Sequence, residues 1–576
     1  MSIASVEAAI ERGELNTLDA RLSELLVRLG RVKEPALALL FARLSHALSA
    51  QHSCIDLATD PADLALKDAL AELPIVSETG DRTPLVLDGH RLYLQRYFQY
   101  ETEIAARLIA MNRRVGDPDP TDYGNLVAQL FEGTTGAGQQ RLAVLQAMTH
   151  RLTIVTGGPG TGKTTTVARI IDAIGQSSAT PPVIKLAAPT GKAAMRMKES
   201  LTLAGSITSP EVLTLHRLLG VSGNGRRYRY NEHHTLPLDL LVVDEVSMID
   251  LAMMHRLLLA LPAHARLVML GDPDQLPSVE AGNILADICK YPTDYSPAFA
   301  QFARDAIGAE PLEGDGSHGL VDAVCHLEQS YRFSPDRGIG RLSAAIRAGE
   351  RVERLDDDEV RTLPLADFTT RTALDTYGDY LAMLTGQADP AELLDAFEKV
   401  RILSPAREGD HGVAGINRDI EAALADNGVI VAGQHFYHGR PILITRNDYN
   451  LRLFNGDTGI CIARPGKSPE VVFRDAGGEI RTHLASRLPP HETCFAMTVH
   501  KSQGSEFDDV ILVLPDATSD ATRQMMTREL VYTAITRARR HVSLYFNKDT
   551  FNECLERRSL RHSGLGERLA RNTSGA

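Results

Sequence analysis

Apolar-rich runs punctuate the chain at 152–155, 183–188, 240–243, 266–270 and 510–514, unbroken at 240–243 and 510–514. Strands of a parallel sheet are covered on both faces, so they read as continuous apolar runs rather than as an alternation. Segments with apolar residues at helical spacing separate them, which predicts an α/β protein built from strand–helix units. Before residue 115 the pattern changes to helices over 18–29, 36–48 and 100–111, with one hairpin, 84–87 and 92–94, across Asp88-Gly89. Between about 430 and 490 it changes again, to short β segments at 433–437, 441–445, 459–463 and 471–473, set between turns such as Asn455-Gly456.

These shifts predict a mainly helical docking domain over 1–115 and a Gly/Asp/Pro linker over 116–120. A first α/β domain follows over 121–320, with a hairpin insertion at about 220–236 centred on Asn224-Gly225. A second α/β domain covers 321–550, opening near Leu327 and carrying the small barrel-like β insertion. Residues 301–320 read as a glycine-rich surface loop, the acidic run 356–359 as a solvated loop, and 551–576 as a polar, basic tail that frays.

Length supports several domains, since single cores stop growing near ~250 to 300 residues. The 61 basic and 74 acidic residues leave a net charge of −13, which argues against a protein that coats nucleic acid through a globally basic surface. Any positive potential must be local. No apolar run is long enough to span a membrane and the N-terminus lacks the pattern of a signal peptide, so a cytoplasmic location is expected. The six cysteines are scattered, with no Cys-x-x-Cys pair, and are expected to be buried thiols. Tryptophan is absent, so base stacking would fall to Phe, Tyr, His or Arg.

The strand at 152–156 runs directly into Gly157-Gly158-Pro159-Gly160-Thr161-Gly162-Lys163-Thr164-Thr165. This is the phosphate-loop pattern: backbone N–H groups ring the phosphates, the lysine reaches the outer ones and Thr164 binds Mg²⁺. The following helix adds its positive N-terminal end, so ATP and Mg²⁺ are the expected ligands. The run 240–243 delivers Asp244 to the metal and Glu245 to the attacking water. Arg266 to Leu270 leads to Gln275 on a proline-braced turn, placed to sense a γ-phosphate. Gln140, on the helix before the phosphate loop, could aim its amide at an adenine edge or be a surface glutamine. Thr190 and Lys192, in a loop at the end of strand 183–188, suit a phosphodiester backbone and equally an ordinary turn. The second domain has no phosphate loop but places Arg332 and Arg537 at loop or helix positions, where an arginine can reach a γ-phosphate held by its neighbour. Polar loops recur on both units at 190–192, 214–216 and 498–501, as if one polymer crossed both.

In order, GGPGTGKTT, APTGKAA, TLHRLLG, VVDEVSMID, LGDPDQLPSVEAG, QSYRF, TVHKSQGSEFDDVIL and VYTAITRARR resemble the motif series of superfamily-one DNA helicases, most of all their RecD branch, over about 139–546. QHSCIDL and GHRLYLQRYF in the N-terminal part also resemble the RecD subunits of exodeoxyribonuclease V, the RecBCD complex. The resemblance implies two RecA-like motor domains, with an SH3-like insertion in the second. It implies an ATP-driven 5′ to 3′ motor on single-stranded DNA, working with RecB-like and RecC-like subunits in double-strand-break repair and recombination, without nuclease chemistry of its own. It makes Gln140 the adenine contact and 157–165 the phosphate loop. Lys163, Asp244, Glu245, Gln275, Arg332 and Arg537 become the catalytic set, and Gly504 and Glu506 join the nucleotide site, Glu506 at the ribose. Thr190, Lys192, His216, Asn455, Thr498 and His500 become DNA contacts, and the Asn224-Gly225 hairpin a strand-separating pin. A regulatory ATPase subunit and an RNA helicase of the same superfamily remain alternatives.

Overall fold

The computed structural model describes residues 4–571 other than 81, 117–118, 205–209, 222–226, 291–293, 315–317, 353–355, 385, 387, 449, 476–477 and 517–519. Two parallel sheets form its centre. The first has six strands in the order Val324–Leu327, Leu152–Gly157, Arg266–Gly271, Leu240–Val243, Ile184–Ala188, Glu211–Thr214. All neighbours are parallel, with Leu152 beside Leu267 and Val324 beside Ile154. Leu152–Gly157 and Leu240–Val243 are buried along their whole length, as parallel strands covered on both faces are.

The second sheet has five parallel strands, in the order Val360–Pro364, Ala538–Phe546, Phe507–Val513, Val400–Ser404, Ala496–Thr498. Its insertion is a five-stranded antiparallel sheet made of Pro441–Ile444, Thr458–Ile462, Glu470–Arg474, Ile480–Leu484 and His491–Thr493. Leu443, Ile460 and Val472 join the second domain's core, whereas Ile442, Ile444, Cys461 and Phe473 form a separate small core on the other face. That split follows from the two-residue period of a strand.

Several boundaries differ from the sequence expectation. Val324–Leu327 closes the edge of the first sheet, so the first domain runs past residue 320 and the second begins after Leu327. The N-terminal domain is helical on Thr17–Gly30, Pro35–Ser49 and Gln95–Met111, but it also holds a four-stranded sheet. The predicted hairpin is its centre, and Cys54–Asp56 and Val76–Ser77, too short to show a period, flank it. No strand forms at 433–437. Helix Pro297–Ile307 takes in the first residues of the loop expected over 301–320. In the acidic run, Asp357 accepts the N–H of Gly338, Glu359 and Val360, fixing the start of helix Gly338–Ala348. The helix expected over 526–539 ends at Ile535.

The tail is not frayed over its described length. Helices Lys548–Glu556 and Leu565–Ala570 form, and Leu565 and Leu569 are buried against the N-terminal and first motor domains. All six cysteines are free thiols, five of them buried and Cys289 partly so.

Candidate functional site

The carboxyl ends of both parallel sheets meet at one cleft. Helix Lys163–Ser177 starts directly after Gly162, whose φ of +83° is a left-handed conformation open to glycine. Gly160, at φ +76°, is required twice over, since a Cβ there would stand 2.3 Å from Cβ of Arg332. The chain at 330–332 is laid over the loop: Tyr331 N–H donates to Gly160 O at 2.8 Å, and Ser330 Oγ to Pro159 O at 3.1 Å. Thr161 Oγ1 donates to Gly158 O at 2.9 Å. Lys163 Nζ folds back on Gly157 O and Gly158 O, at 2.6 and 2.9 Å. Gln140 is buried and donates from Nε2 to Thr161 O at 3.1 Å, so it braces the loop from below rather than lying on the surface.

Asp244 follows strand Leu240–Val243 and accepts Glu245 N–H at 2.8 Å. Burial first, and then the neighbouring Glu245, push the Asp244 carboxyl up to about 6, against the pull of Lys163 and Arg196. Glu245 itself has φ +53°, a left-handed backbone that costs a non-glycine residue about 1 kcal/mol or more. Gln275 donates to Asp272 Oδ2 at 3.0 Å, and Tyr532 OH, from the other lobe, donates to the same oxygen at 3.1 Å.

From the second lobe, Arg537 lies in the tight connection between helix Arg528–Ile535 and strand Ala538–Phe546. Glu506, just before strand Phe507–Val513, sits among three guanidinium groups: Arg196 at 2.6 Å, Arg332 at 2.8 Å and Arg539 at 3.2 Å. Burial raises the Glu506 carboxyl, but Arg196, Arg332 and Arg537 outweigh it and hold it down to about 2. Together these groups line a cavity of about 700 Å³ that takes in Gln140, 159–165, Asp244, Glu245, Gln275, Arg332, Gly504, Glu506 and Arg537.

The six residues singled out for a polymer are less tightly gathered. Thr190 and His216 share a pocket of about 210 Å³ with Val279, Glu280 and Gln503. Thr190 Oγ1 also accepts Ala193 N–H at 3.2 Å, capping its helix. Lys192 is half-buried, its Nζ 5.8 Å from the Phe507 ring, and burial lowers its pKa. Thr498 accepts Lys501 N–H at 3.3 Å, and His500 beside it is lowered chiefly by burial. Asn455 is exposed on the turn of the insertion. The residues around Asn224-Gly225 lie outside the described residues. The chain flanking them pairs as a hairpin would, Val221 opposite Tyr228.

Sequence reasoning missed Arg196 and Arg539 in the first cavity. Arg196 sits one helical turn after Lys192 on helix Gly191–Leu203, and Arg539 two residues after Arg537 in a strand, so both spacings carried the signal. It also missed a cavity of about 770 Å³ between the first lobe and the insertion, lined by His216, Arg217, Arg452, Phe454, Arg474 and Arg481, among others. No described helix is long and apolar enough to cross a membrane.

Family models match three parts of the chain: the N-terminal domain of RecBCD enzyme subunit RecD at 11–68, an AAA domain at 140–281, and the UvrD-like helicase C-terminal domain at 493–545. The RecBCD enzyme subunit RecD of Mycolicibacterium smegmatis is 35% identical over 96% of this chain and 97% of its own length. That of Haemophilus influenzae is 37% identical over 75% of this chain and 72% of its own. The ATP-dependent RecD2 DNA helicase of Deinococcus radiodurans is 30% identical over 78% of this chain and 54% of its own.

Proposed function

Because the chain belongs to the RecD family of RecBCD enzyme subunits, we propose that it is an ATP-driven motor that moves 5′ to 3′ along single-stranded DNA, beside RecB-like and RecC-like partners. One observation carries this reading: a single cavity receives Lys163, Asp244, Glu245 and Gln275 from one lobe and Arg332, Glu506 and Arg537 from the other. A nucleotide held there touches both lobes, so its binding and hydrolysis change how they close.

In this reading the backbone of 157–165 and Lys163 hold the phosphates, and Gln140 and Glu506 face the base and ribose. Glu245 orients the attacking water. Gln275, Arg332 and Arg537 answer the charge that develops at the γ-phosphate. The adjoining carboxylates Asp244 and Glu245 fit a divalent cation, since burial and mutual repulsion both disfavour a charged Asp244 without one. Thr164 and Asp244 would hold Mg²⁺, which screens phosphate charge when bound. The pocket at Thr190 and His216, and the larger cavity beside the insertion, offer the polymer a path over both lobes.

Lys163→Gln tests this. It is expected to abolish DNA-stimulated ATPase and unwinding while leaving nucleotide-free binding of an oligo-dT strand within about threefold. Unwinding that survives the substitution refutes the motor, and stimulation by RNA alone moves the substrate to RNA.

A further inference from the structure

The Gln275 turn does not end at the nucleotide cavity. Three residues on, the segment 278–282 reaches the pocket where Thr190 and His216 lie, placing the 63% exposed Val279 and Glu280 on its wall. Two buried bonds to the second lobe mark the way between: Thr533 Oγ1 accepts Leu276 N–H at 2.8 Å, and Gln503 Nε2 donates to Leu276 O at 3.1 Å. Gln503 lines that same pocket.

The far end of this segment is gripped by a residue from the C-terminal tail. Arg561 Nη1 donates to Gly282 O at 2.6 Å, to Glu280 O at 3.0 Å and to Ser278 Oγ at 3.2 Å, and Nη2 donates to Ser278 O at 2.5 Å. Nη2 also reaches Gln51 Oε1 of the N-terminal domain, whose backbone carbonyl in turn accepts Gly282 N–H at 3.1 Å. Ser278 Oγ completes the cage by donating to Glu280 O and Gly282 O, at 2.9 and 3.0 Å. Gly282 fits because its φ is +105° and a Cβ would stand 2.5 Å from Leu251 Cγ. A planar fork with five donors suits such a ring of carbonyls, and an ammonium does not. One side chain of the tail thus spans both ends of the 278–282 segment.

We propose that Arg561 is a positioning residue for DNA-dependent ATP turnover, fixing the outer end of the 275–282 segment so that strand occupancy at Val279 and Glu280 is transmitted to Gln275. The inference rests on the motor reading above and adds the path by which polymer and nucleotide communicate. It also gives the N-terminal domain, through Gln51 and the tail, a direct hold on that path.

The test uses the full-length chain, with ATPase measured against oligo-dT concentration for wild type, Arg561→Ala, Arg561→Lys and the milder Ser278→Ala. In Arg561→Ala and Ser278→Ala the half-saturating dT concentration is expected to rise roughly tenfold, with a smaller maximal stimulation, while the DNA-free rate and the KM for ATP stay within about twofold. Arg561→Lys is expected to restore less than half of the lost stimulation. An unchanged dT response in both alanine variants overturns the proposal. So does a loss in which DNA-free rate, ATP affinity and melting temperature all fall together, because that is a purely structural role. Wild-type protein that shows no dT stimulation defeats the motor reading itself, an outcome distinct from either.

Discussion

Arg537 of the second lobe donates from Nη2 to Gln275 Oε1 of the first at 3.1 Å, so two of the three residues assigned to the γ-phosphate are already joined across the cleft. The same guanidinium donates to Ser505 O and Thr533 O, both at 3.2 Å, and is 3% exposed. Its place is therefore set by the second lobe's own backbone, and lobe closure carries it as a rigid unit. Such a group acts on charge that appears only in the transition state. Arg537→Ala is expected to lower kcat by roughly 10³-fold while changing the KM for ATP less than about threefold, as steady-state ATPase assays will read. Arg537→Lys should recover little, because one ammonium cannot reach all three acceptors. Equal losses in turnover and nucleotide affinity contradict the assignment.

Glu506 gives the cleft its clearest acid signature. Its carboxyl, ordinarily near 4.5, is held at about 2 by Arg196, Arg332 and Arg537 in spite of burial. Burial also lowers Arg196, but from so high a value that it stays charged. A depressed carboxyl stabilises the folded state fully above its ordinary value and loses that contribution as pH falls toward the folded one. The wild type's unfolding free energy from urea titration should therefore drop between about pH 5 and pH 2, by an amount on the order of 2 to 3 kcal/mol from this group. Glu506→Gln should be less stable at pH 7 and show a shallower acid limb. Parallel pH profiles for the two proteins speak against the ion cluster.

The sequence made the nucleotide cleft legible because its parts are local. A phosphate loop needs glycines at fixed positions, and Gly160 and Gly162 do take positive φ. A buried strand must be apolar, and Leu240–Val243 is buried throughout and delivers Asp244 to the cleft. What escaped depends on distant partners. Val324–Leu327 reads like the start of a new unit, and only its pairing with Leu152–Gly157 puts it in the first sheet. The polar tail looks unstructured until Glu101 and the 278–282 carbonyls, hundreds of residues away, are seen to hold it. Lys192, read as a strand contact, lies half-buried over Phe507 because the second lobe packs onto its helix.

The tail also makes a stability prediction. Glu101 is fully buried and accepts from Ser53 Oγ at 2.5 Å, Ser563 Oγ at 3.0 Å, Tyr93 OH at 3.1 Å and Gly564 N–H at 3.1 Å. Its only cationic partner among the described residues is Arg568, at 3.4 Å, which also holds Asp88 at 2.6 Å and lies 4.9 Å from the Phe98 ring. Removing one member of a buried pair leaves an uncompensated charge, so Arg568→Met should cost about 3 kcal/mol in urea unfolding. Adding Glu101→Gln should recover part of that loss. A cost below about 0.5 kcal/mol, typical of an exposed substitution, would mean the tail does not dock in solution.

Charge sets the last expectation. With a net charge of −13, the chain can attract a phosphate backbone only where basic groups concentrate, and the cavity between the first lobe and the insertion is such a place. Not every arginine there is available. Arg474 is paired with Asp395, and Arg481 Nε donates to Asp475 Oδ2 at 2.7 Å, so both already spend their charge within the protein. Arg217 and Arg452 line the cavity from opposite sides and carry the remaining attraction. Each phosphate neutralised on a single strand contributes about 0.7 to the slope of log affinity against log salt. Oligo-dT binding measured by anisotropy is expected to weaken with salt along a slope of about −1.4 from these two contacts, and Arg217→Ala or Arg452→Ala should each reduce its magnitude by about 0.7. Binding that stays flat from low to moderate salt, or a slope indifferent to both substitutions, would move the strand to another face of the molecule.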